Sequence, residues 1–175
     1  MPIVWLVVVF FTLTFGIVVF RGAPYVPSRR RYIKQAFTEL YDLSDSDILV
    51  DVGSGDGVVL REAAKLGAKA IGYEINPVLV LISKLLSQHN DLVKTQMADF
   101  WLSQLPDDTT VVYVFAVSRD IEKIAIWLQR EANRLGRKIS VITYGSGFGK
   151  LMSTKNVGAY KLYYFQSLQS DKAQV

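Results

Sequence analysis

The stretch ILVDVGSGDGVVLREAAKL, residues 48–66, decides how this chain folds. It opens with five residues that are apolar except for one acid, continues through a run rich in glycine, and ends with apolar residues at helical spacing. This order predicts a strand over 48–52, a glycine turn, and a helix that begins at Val58 and stops at Gly67. A glycine turn between a strand and a helix is a place where the backbone can cradle a ligand.

Strands and helices alternate along the rest of the chain. We predict further strands over 68–75, 93–98, 111–117, 139–144 and 160–166, and helices over 28–43, 77–88 and 120–135. Alternation at this spacing implies βαβ crossovers and an α/β fold, with a mainly parallel sheet, helices on both faces and a short antiparallel end at the carboxyl terminus. Such sheets bind ligands at the carboxyl ends of their strands.

The composition excludes several classes of site. The chain has 175 residues, no cysteine and a single histidine, His89. A chain of this length usually forms one domain. Without cysteine there is no disulfide framework, no thiolate metal site and no cysteine nucleophile. With one imidazole, a zinc hydrolase or a Ser-His triad is disfavoured, and we predict no metal site.

An uncharged segment at the amino terminus predicts a membrane anchor over residues 1–20. Residues 3–20 contain no charge, and as a helix they would reach about 27 Å, close to the thickness of a bilayer's hydrocarbon core. A buried strand pair and a cleaved signal peptide are the alternatives. Basic residues follow the apolar run instead of preceding it, which disfavours a signal peptide.

A basic strip follows this segment, within a juxtamembrane region that we place at 21–46. Five basic residues and no acidic one lie between positions 21 and 34: Arg21, Arg29, Arg30, Arg31 and Lys34. Removing these five from the 20 basic residues of the chain leaves 15 against 16 acidic ones. The strip therefore predicts contact with anionic lipid headgroups and a carboxyl-terminal domain that faces the cytoplasm, or the matrix in a mitochondrion. RNA contact and a merely solvated charge run are the alternatives, and we expect no nucleic-acid partner.

The glycine turn has the spacing of an S-adenosylmethionine site. Its glycines, Gly53, Gly55 and Gly57, follow the acid Asp51 as G-x-G-x-G. A dinucleotide site would prefer G-x-G-x-x-G, which would require a third glycine where Val58 stands. S-adenosylmethionine has no phosphate, and its methionine ammonium favours a nearby carboxylate, which Asp51 and Asp56 can supply.

Two more acids end predicted strands. Glu74 closes the second strand, where a carboxylate can accept both ribose hydroxyls, and Asp99 closes the third, where it can accept from an adenine amino group beside an aromatic ring. Taken singly, each acid could be a structural, surface or capping residue. We predict a cofactor site formed by Asp51, Gly53, Ser54, Gly55, Asp56, Gly57, Glu74, Asn76, Asp99 and Phe100.

These motifs resemble those of a known family. The turn over Asp51–Gly57, together with the run GYEINP at 72–77, resembles motif I and its successor in class I S-adenosylmethionine-dependent methyltransferases. The runs PYVPS at 24–28 and ADFW at 98–101 resemble the membrane-anchored mitochondrial protein-lysine methyltransferases that act on the c-ring protein of ATP synthase or the adenine nucleotide translocase, and their bacterial relatives. The likeness covers roughly 21–166.

The resemblance implies a Rossmann-like methyltransferase domain over 47–170, S-adenosyl-L-methionine as cofactor and a lysine of a membrane protein as acceptor. It suggests an acceptor channel lined by Tyr25, Trp101, Phe115 and Tyr144, for which ordinary core packing is the alternative. The chain departs from the family in one respect, because about 15 residues separate the fifth predicted strand from Tyr160, too few for the usual helix there.

Other acceptors stay open at this point. The tetrapeptide with two adjacent prolines that marks methyltransferases of adenine or glutamine is absent, since none of the five prolines are neighbours. A membrane-bound methyltransferase of a lipid or quinone would use the anchor equally well. A non-catalytic membrane scaffold with a methyltransferase-like domain is the alternative outside enzymes, and the acids at 51, 74 and 99 argue against it.

Overall fold

A computed structural model describes residues 2–6, 9, 29–116, 119–149 and 151–168 of the protein. Its strands are β1 Ile48–Val52, β2 Lys69–Glu74, β3 Val93–Met97, β4 Val111–Ala116, β5 Ile139–Gly145, β6 Lys155–Val157 and β7 Tyr160–Phe165. They form one sheet in the order β3-β2-β1-β4-β5-β7-β6. The first five strands pair in parallel, and β7 runs antiparallel between β5 and β6. The predicted α/β class and its antiparallel end are confirmed.

The strand order reverses between β1 and β4, which places a ligand crevice above this point of the sheet. The glycine turn follows β1 directly and therefore lies at the reversal. In the register of the sheet, Val52 pairs with Val114 of β4 and with Tyr73 of β2. The ends of β1, β2 and β4 thus meet around the turn.

Helices cover the two faces unequally. They are α1 Arg30–Gln35, which continues as a π-helical turn over Ala36–Leu40, then α2 Val58–Ala64, α3 Pro77–Leu86 and α4 Ile121–Leu135, with a 3₁₀ turn at Phe100–Leu102. α1 and α2 bury apolar residues against one face, which we call the front face. α3 lies on the same side. Its Ser83 hydrogen-bonds Thr95 of β3 at 2.6 Å, and Thr95 is the register partner of Gly72 in β2. Gly72 faces α2, because a Cβ at this position would collide with Leu60 of that helix. α4 packs on the opposite, back face.

The structure differs from the sequence-based predictions at the first helix and at β6. The first helix, predicted over 28–43, begins at Arg30 and ends in the π-helical turn at Leu40. β6 was not predicted, since a strand of three residues is too short to show a period. The back face lacks a helix between β5 and β6 among the described residues, as expected. Phe148 covers the strands there, with its ring 4.9 Å from that of Tyr163 and 5.4 Å from that of Phe165.

The predicted anchor falls mostly outside the described residues. Residues 2–6 are helical, and their apolar side chains are exposed. Within the part of the chain that the structure describes, no helix has the length and apolar character needed to cross a bilayer. The segments 10–20 and 21–28 of the predicted anchor and basic strip lie outside it.

Candidate functional site

The glycine turn is held in a left-handed backbone conformation. The φ angles of Gly53, Gly55 and Gly57 are 88°, 56° and 77°, values that side chains other than hydrogen adopt at a cost. The N–H groups of Gly53 and Ser54 both donate to the carbonyl oxygen of Tyr73, at 2.8 and 3.0 Å. The turn is therefore bound to the end of β2.

Close packing beneath the turn also requires glycine. A Cβ at Gly57 would collide with the hydroxyl of Ser83, and one at Gly72 would collide with Ser54. Ser54 is buried under the turn, so its backbone, not its side chain, can face a ligand. A Cβ at Gly53 would meet no heavy atom within 4 Å. Open space thus borders the backbone where a ligand would approach.

Glu74 links the two sides of the crevice. One carboxylate oxygen, Oε2, accepts from the N–H of Gly55 at 2.8 Å, and the other, Oε1, accepts from the N–H of Asn76 at 2.8 Å. The residue is only 8% exposed. Each carboxylate oxygen can accept a second hydrogen bond. Glu74 can therefore bind two hydroxyl groups while it holds the turn.

Asp51 is a buried acid, and no described residue places a cation beside it. It is 2% exposed, and no described residue forms a hydrogen bond or ion pair with its carboxylate. Burial raises the pKa of Asp51 well above its usual value, and the carboxylates of Glu74 and Asp56 raise this pKa further. A positively charged ligand group in the crevice would stabilise the ionised form.

Asp56 is less available than the sequence suggested. Its Oδ1 accepts from the N–H of Val58 at 3.1 Å, and its Oδ2 lies 3.5 Å from the guanidinium of Arg61. Arg61 also donates to the backbone carbonyl of Asp56 at 2.6 Å. The side chain of Asp56 is therefore occupied by the first N–H of α2 and by Arg61, whereas Asp51 and Glu74 remain for a ligand.

Asn76 and Asp99 both cap the turn of helix that follows them. Oδ1 of Asn76 accepts from the N–H of Val78 at 2.9 Å, and Oδ1 of Asp99 accepts from the N–H of Trp101 at 3.0 Å. The capping alternative given above for Asp99 therefore describes its Oδ1. It leaves the second oxygen of Asp99 able to accept from a ligand, next to the partly buried ring of Phe100.

Two of the four predicted acceptor residues lie together. Phe115 and Tyr144 are register partners in β4 and β5, and their ring centroids are 5.7 Å apart. The ring of Tyr160 lies 4.8 Å from that of Tyr144. We call Phe115, Tyr144 and Tyr160 the aromatic row. It lies on the front face and begins one residue beyond Val114, beside the turn.

Trp101 does not share a wall with the aromatic row. It packs against the back-face core, and its ring lies 4.4 Å from that of Phe100. Trp101 therefore lies apart from Phe115 and Tyr144, because the 3₁₀ turn after β3 directs it to the α4 side, and its part in an acceptor channel stays a prediction. Tyr25, the fourth predicted residue, lies outside the described residues.

The sequence-based prediction missed Tyr160 and Arg61. Arg61 lies five positions after Asp56, outside the spacing of three or four at which helical side chains meet, so no periodic signal indicated the pair. Tyr160 joins the row through its antiparallel pairing with Tyr144. That pairing depends on the path of the loop between β5 and β6, which leaves no periodic signal.

The donor set fits S-adenosylmethionine better than a metal or a phosphate. Among the described residues, no group of three acidic, histidine or cysteine side chains could hold a metal ion. Two buried carboxylates at a helix start would repel a pyrophosphate. They would instead favour a ligand with a cationic end for Asp51 and two hydroxyls for Glu74.

Comparisons with known proteins agree with this assignment. Over 120 residues the chain is 32% identical to the ATP synthase c-subunit lysine N-methyltransferase of Xenopus laevis, covering 67% of this chain and 52% of that protein. It is 32% identical over 120 residues to the Homo sapiens protein of the same name, covering 67% of this chain and 50% of that protein. The predicted resemblance to these methyltransferases is confirmed. The chain spans about half the length of the curated relatives it matches.

The fold has a solved counterpart. The crystal structure of an RNA methyltransferase from Salinibacter ruber, in complex with S-adenosyl-L-homocysteine, matches with a TM-score of 0.71 and 25% sequence identity. The match covers 80% of this chain and 92% of that chain. No protein-family model matches the chain. The seven-stranded sheet and its flanking helices thus have a Rossmann-like methyltransferase fold.

Proposed function

We propose that the protein binds S-adenosyl-L-methionine at the glycine turn and methylates a lysine of a membrane protein. The observation that carries the proposal is the arrangement of Asp51 and Glu74, two buried acids beside an open glycine backbone. The names of the curated relatives support lysine as acceptor. The complex of the solved relative supports the cofactor.

Each residue of the crevice has a separate binding role in this proposal. Asp51 would hold the methionine ammonium, and Glu74 would accept the ribose hydroxyls while it keeps the turn closed. Asp99 would accept from the adenine amino group, with the rings of Phe100 and Trp101 packed beside it. Bound in this way, S-adenosylmethionine would supply an electrophilic methyl group on sulfur.

The aromatic row would guide the acceptor amine. Methyl transfer forms a C–N bond while the C–S electron pair stays on sulfur, so the lysine must arrive as a neutral amine. A channel lined by Phe115, Tyr144 and Tyr160 would lower the pKa of the lysine by desolvation and exclude water from the reacting atoms. The protein would contribute orientation, and no protein nucleophile is required.

Attachment to a membrane is part of the proposal. The uncharged residues 3–20 would anchor the chain, and the side chains of Ile3, Trp5 and Leu6, exposed by 68% or more, would contact lipid. Basic residues between 21 and 34 would bind anionic headgroups and orient the domain toward the cytoplasm or matrix. The domain limits 1–20, 21–46 and 47–170 follow from this arrangement.

Calorimetry tests the cofactor assignment. We expect the full chain, in detergent or vesicles, to bind S-adenosylmethionine and S-adenosylhomocysteine and to ignore NAD. Asp51→Asn should weaken the binding of S-adenosylmethionine more than that of S-adenosylhomocysteine, because S-adenosylmethionine carries an additional sulfonium charge near the acids. Binding of neither compound would refute the proposal and leave the membrane scaffold.

A labelled methyl donor tests the acceptor. Full chain would be incubated with membranes and tritiated S-adenosylmethionine, and the label followed into protein, lipid and RNA fractions. We expect label in protein, on lysine after hydrolysis. Label in lipid would favour the lipid or quinone methyltransferase. RNA is included because the solved relative is an RNA methyltransferase, and label there would also overturn the lysine assignment.

A reporter fused after Val175 tests the orientation. We expect activity from a reporter that works in the cytoplasm and silence from one that requires the opposite side of the membrane. The reverse pattern would overturn the orientation and, with it, the access of the site to cytosolic cofactor.

A further inference from the structure

The outward side of α3 is aliphatic and open to solvent. Its inner side is buried through Val80 and Ser83, while four large side chains on the other side are exposed by 37 to 57%: Leu81, Ile82, Leu85 and Leu86. We call these four residues the α3 ridge. A surface helix usually carries charged residues on this side, yet Lys84 is the one charged residue in α3. A contiguous exposed apolar surface of this kind marks a contact with another body.

The rest of the front helical layer is positively charged. α1 and its start carry exposed Arg29, Arg30, Arg31 and Lys34. The acid of α2, Glu62, is buried and bound to Lys65 at 2.7 Å, with the exposed Arg30 3.8 Å away. Among the described residues of α1, α2 and α3, this leaves one exposed acid, in the π-helical turn after α1. The outer surface of the layer therefore joins a cationic region on α1 to an apolar ridge on α3.

We propose that the outer surface of α1, α2 and α3 lies on an anionic bilayer. The α3 ridge would insert among the headgroups, and the cations of α1 would contact lipid phosphate. A helix in this position buries its apolar side about 5 to 10 Å into the boundary between headgroups and acyl chains. The inference rests on the membrane attachment proposed above and adds which surface of the domain meets the lipid.

A second copy of the chain fits this surface less well than a bilayer. α3 has ten residues and is therefore about 15 Å long, too short for the roughly 800 Å² per partner that a stable interface buries. The cations of α1 would also repel those of another copy, whereas anionic lipid would attract them. A fluid bilayer needs no complementary shape.

This orientation also directs the acceptor channel. The aromatic row lies on the front face of the sheet, as do α1, α2 and α3. With the helical layer on the bilayer, the row would lie on the side of the sheet nearer to the lipid, beneath that layer, and the channel would open at the carboxyl edge of the sheet, close to the bilayer surface. Lysines at the ends of membrane-spanning helices would reach it, and lysines of soluble proteins would have to approach through the gap between domain and bilayer.

The absence of cysteine makes a direct test possible. Leu85→Cys, labelled with an environment-sensitive fluorophore, would report from the α3 ridge. Ile126→Cys is the matched control, since it lies on α4 over the back face and is 72% exposed. The labelled full chains would be reconstituted in phosphatidylcholine vesicles, with or without phosphatidylserine, and quenched by doxyl-labelled lipid.

We expect the doxyl lipid to quench the label at 85 about twofold or more above the label at 126, and more strongly with phosphatidylserine. Equal quenching at both positions would overturn the inference. So would a spectral change at 85 that depends on protein density but not on doxyl lipid, because it would indicate a second copy. Both variants replace exposed side chains, and matching melting curves would confirm that they fold.

Flotation separates this inference from the proposed function. A full chain that does not float with vesicles would refute the membrane attachment and this inference together. A chain that floats, while the label at 85 stays unquenched, would refute this inference alone. Cofactor affinity, measured by calorimetry on the same variants, tests the methyltransferase assignment independently of either result.

Discussion

Glu74 Oε2 accepts a 2.8 Å hydrogen bond from the backbone N–H of Gly55, nineteen residues earlier in the chain. The bond is buried and joins the end of β2 to the middle of the glycine turn. The Glu74 carboxylate therefore holds the glycine turn, and it is also placed to accept hydrogen bonds from a ligand. Stability and cofactor affinity should therefore respond together when Glu74 is changed.

We predict that Glu74→Ala weakens S-adenosylmethionine binding by about 1.5 to 3 kcal/mol, because hydrogen bonds to a charged group are lost. It should also lower the melting temperature of the unliganded protein, since the N–H groups of Gly55 and Asn76 lose their acceptor. Calorimetry and thermal melts measure the two effects.

Glu74→Gln is the control for this prediction. It keeps one oxygen for the turn but loses the charge, so it should recover part of the melting temperature and less of the affinity. Unchanged affinity in Glu74→Ala would remove Glu74 from the binding site.

Asp51 should make the unliganded protein less stable as pH rises. Burial, with Glu74 and then Asp56, raises the pKa of Asp51 in the folded state. The folded protein therefore keeps a proton that the unfolded chain releases between the usual and the raised pKa. Across that window the free energy of unfolding falls with increasing pH, by about 1.4 kcal/mol for each unit by which the pKa is raised.

We predict that Asp51→Asn melts at a higher temperature than the unchanged protein above this window and at a similar temperature below it. The amide keeps the shape of the side chain and has no charge to bury. The same variant should lose cofactor affinity, and the affinity of the unchanged protein should increase with pH as Asp51 ionises. A variant that melts lower at every pH would contradict the assignment of Asp51 as an uncompensated acid.

Gly53→Ala and Gly57→Ala should differ in their effects on stability and on cofactor affinity. Both have positive φ, at 88° and 77°, so each substitution should cost roughly 1 kcal/mol of stability. Gly57→Ala should destabilise the protein further, because its Cβ would meet Ser83. Gly53→Ala should instead lower cofactor affinity, since its Cβ projects into the open side of the turn.

Thermal melts and calorimetry on both variants check this pair. Equal melting temperatures of the two variants would mean that Ser83 of α3 moves away from the added methyl group at little cost. Unaltered affinity in Gly53→Ala would mean that the cofactor does not approach the turn there.

Local features of the fold were readable in the sequence. The strand, turn and helix over 48–66 show a change of period that marks each boundary, and Glu74 and Asp99 stand at strand ends in any parallel arrangement. Such features depend on neighbours within a few residues. They hold in the structure because tertiary packing agrees with them.

The sequence did not indicate in the same way which face of the sheet a side chain occupies or which side chains it contacts. Whether an aromatic residue near a strand end joins the front or the back core depends on strand parity and on which helices cover each face. Phe115 pairs with Tyr144, which packs on the front-face core, whereas Trp101 packs on the back-face core, so the sheet separates the two residues. Likewise, the ion pair between Asp56 and Arg61 depends on the residue at which α2 begins, Val58.

Tyr144 and Trp101 should affect different steps of the reaction. Tyr144 contacts Phe115 and Tyr160 within the aromatic row, so Tyr144→Leu should lower kcat for a membrane acceptor about tenfold or more while leaving cofactor affinity intact, through poorer orientation and desolvation of the amine. Trp101 lies beside Asp99 and Phe100. Trp101→Leu should raise the KM for S-adenosylmethionine and change kcat little at saturation.

Tyr164→Leu is the matched control, since Tyr164 belongs to β7 but is 40% exposed and outside the row. Tyr164→Leu should change neither kcat nor the KM for S-adenosylmethionine. Steady-state kinetics with reconstituted membranes, together with calorimetry, give kcat, KM and the cofactor Kd for all three variants. If Tyr144→Leu raises the cofactor Kd and leaves kcat unchanged, the row belongs to the cofactor pocket, and the acceptor must enter from the back face, past Trp101.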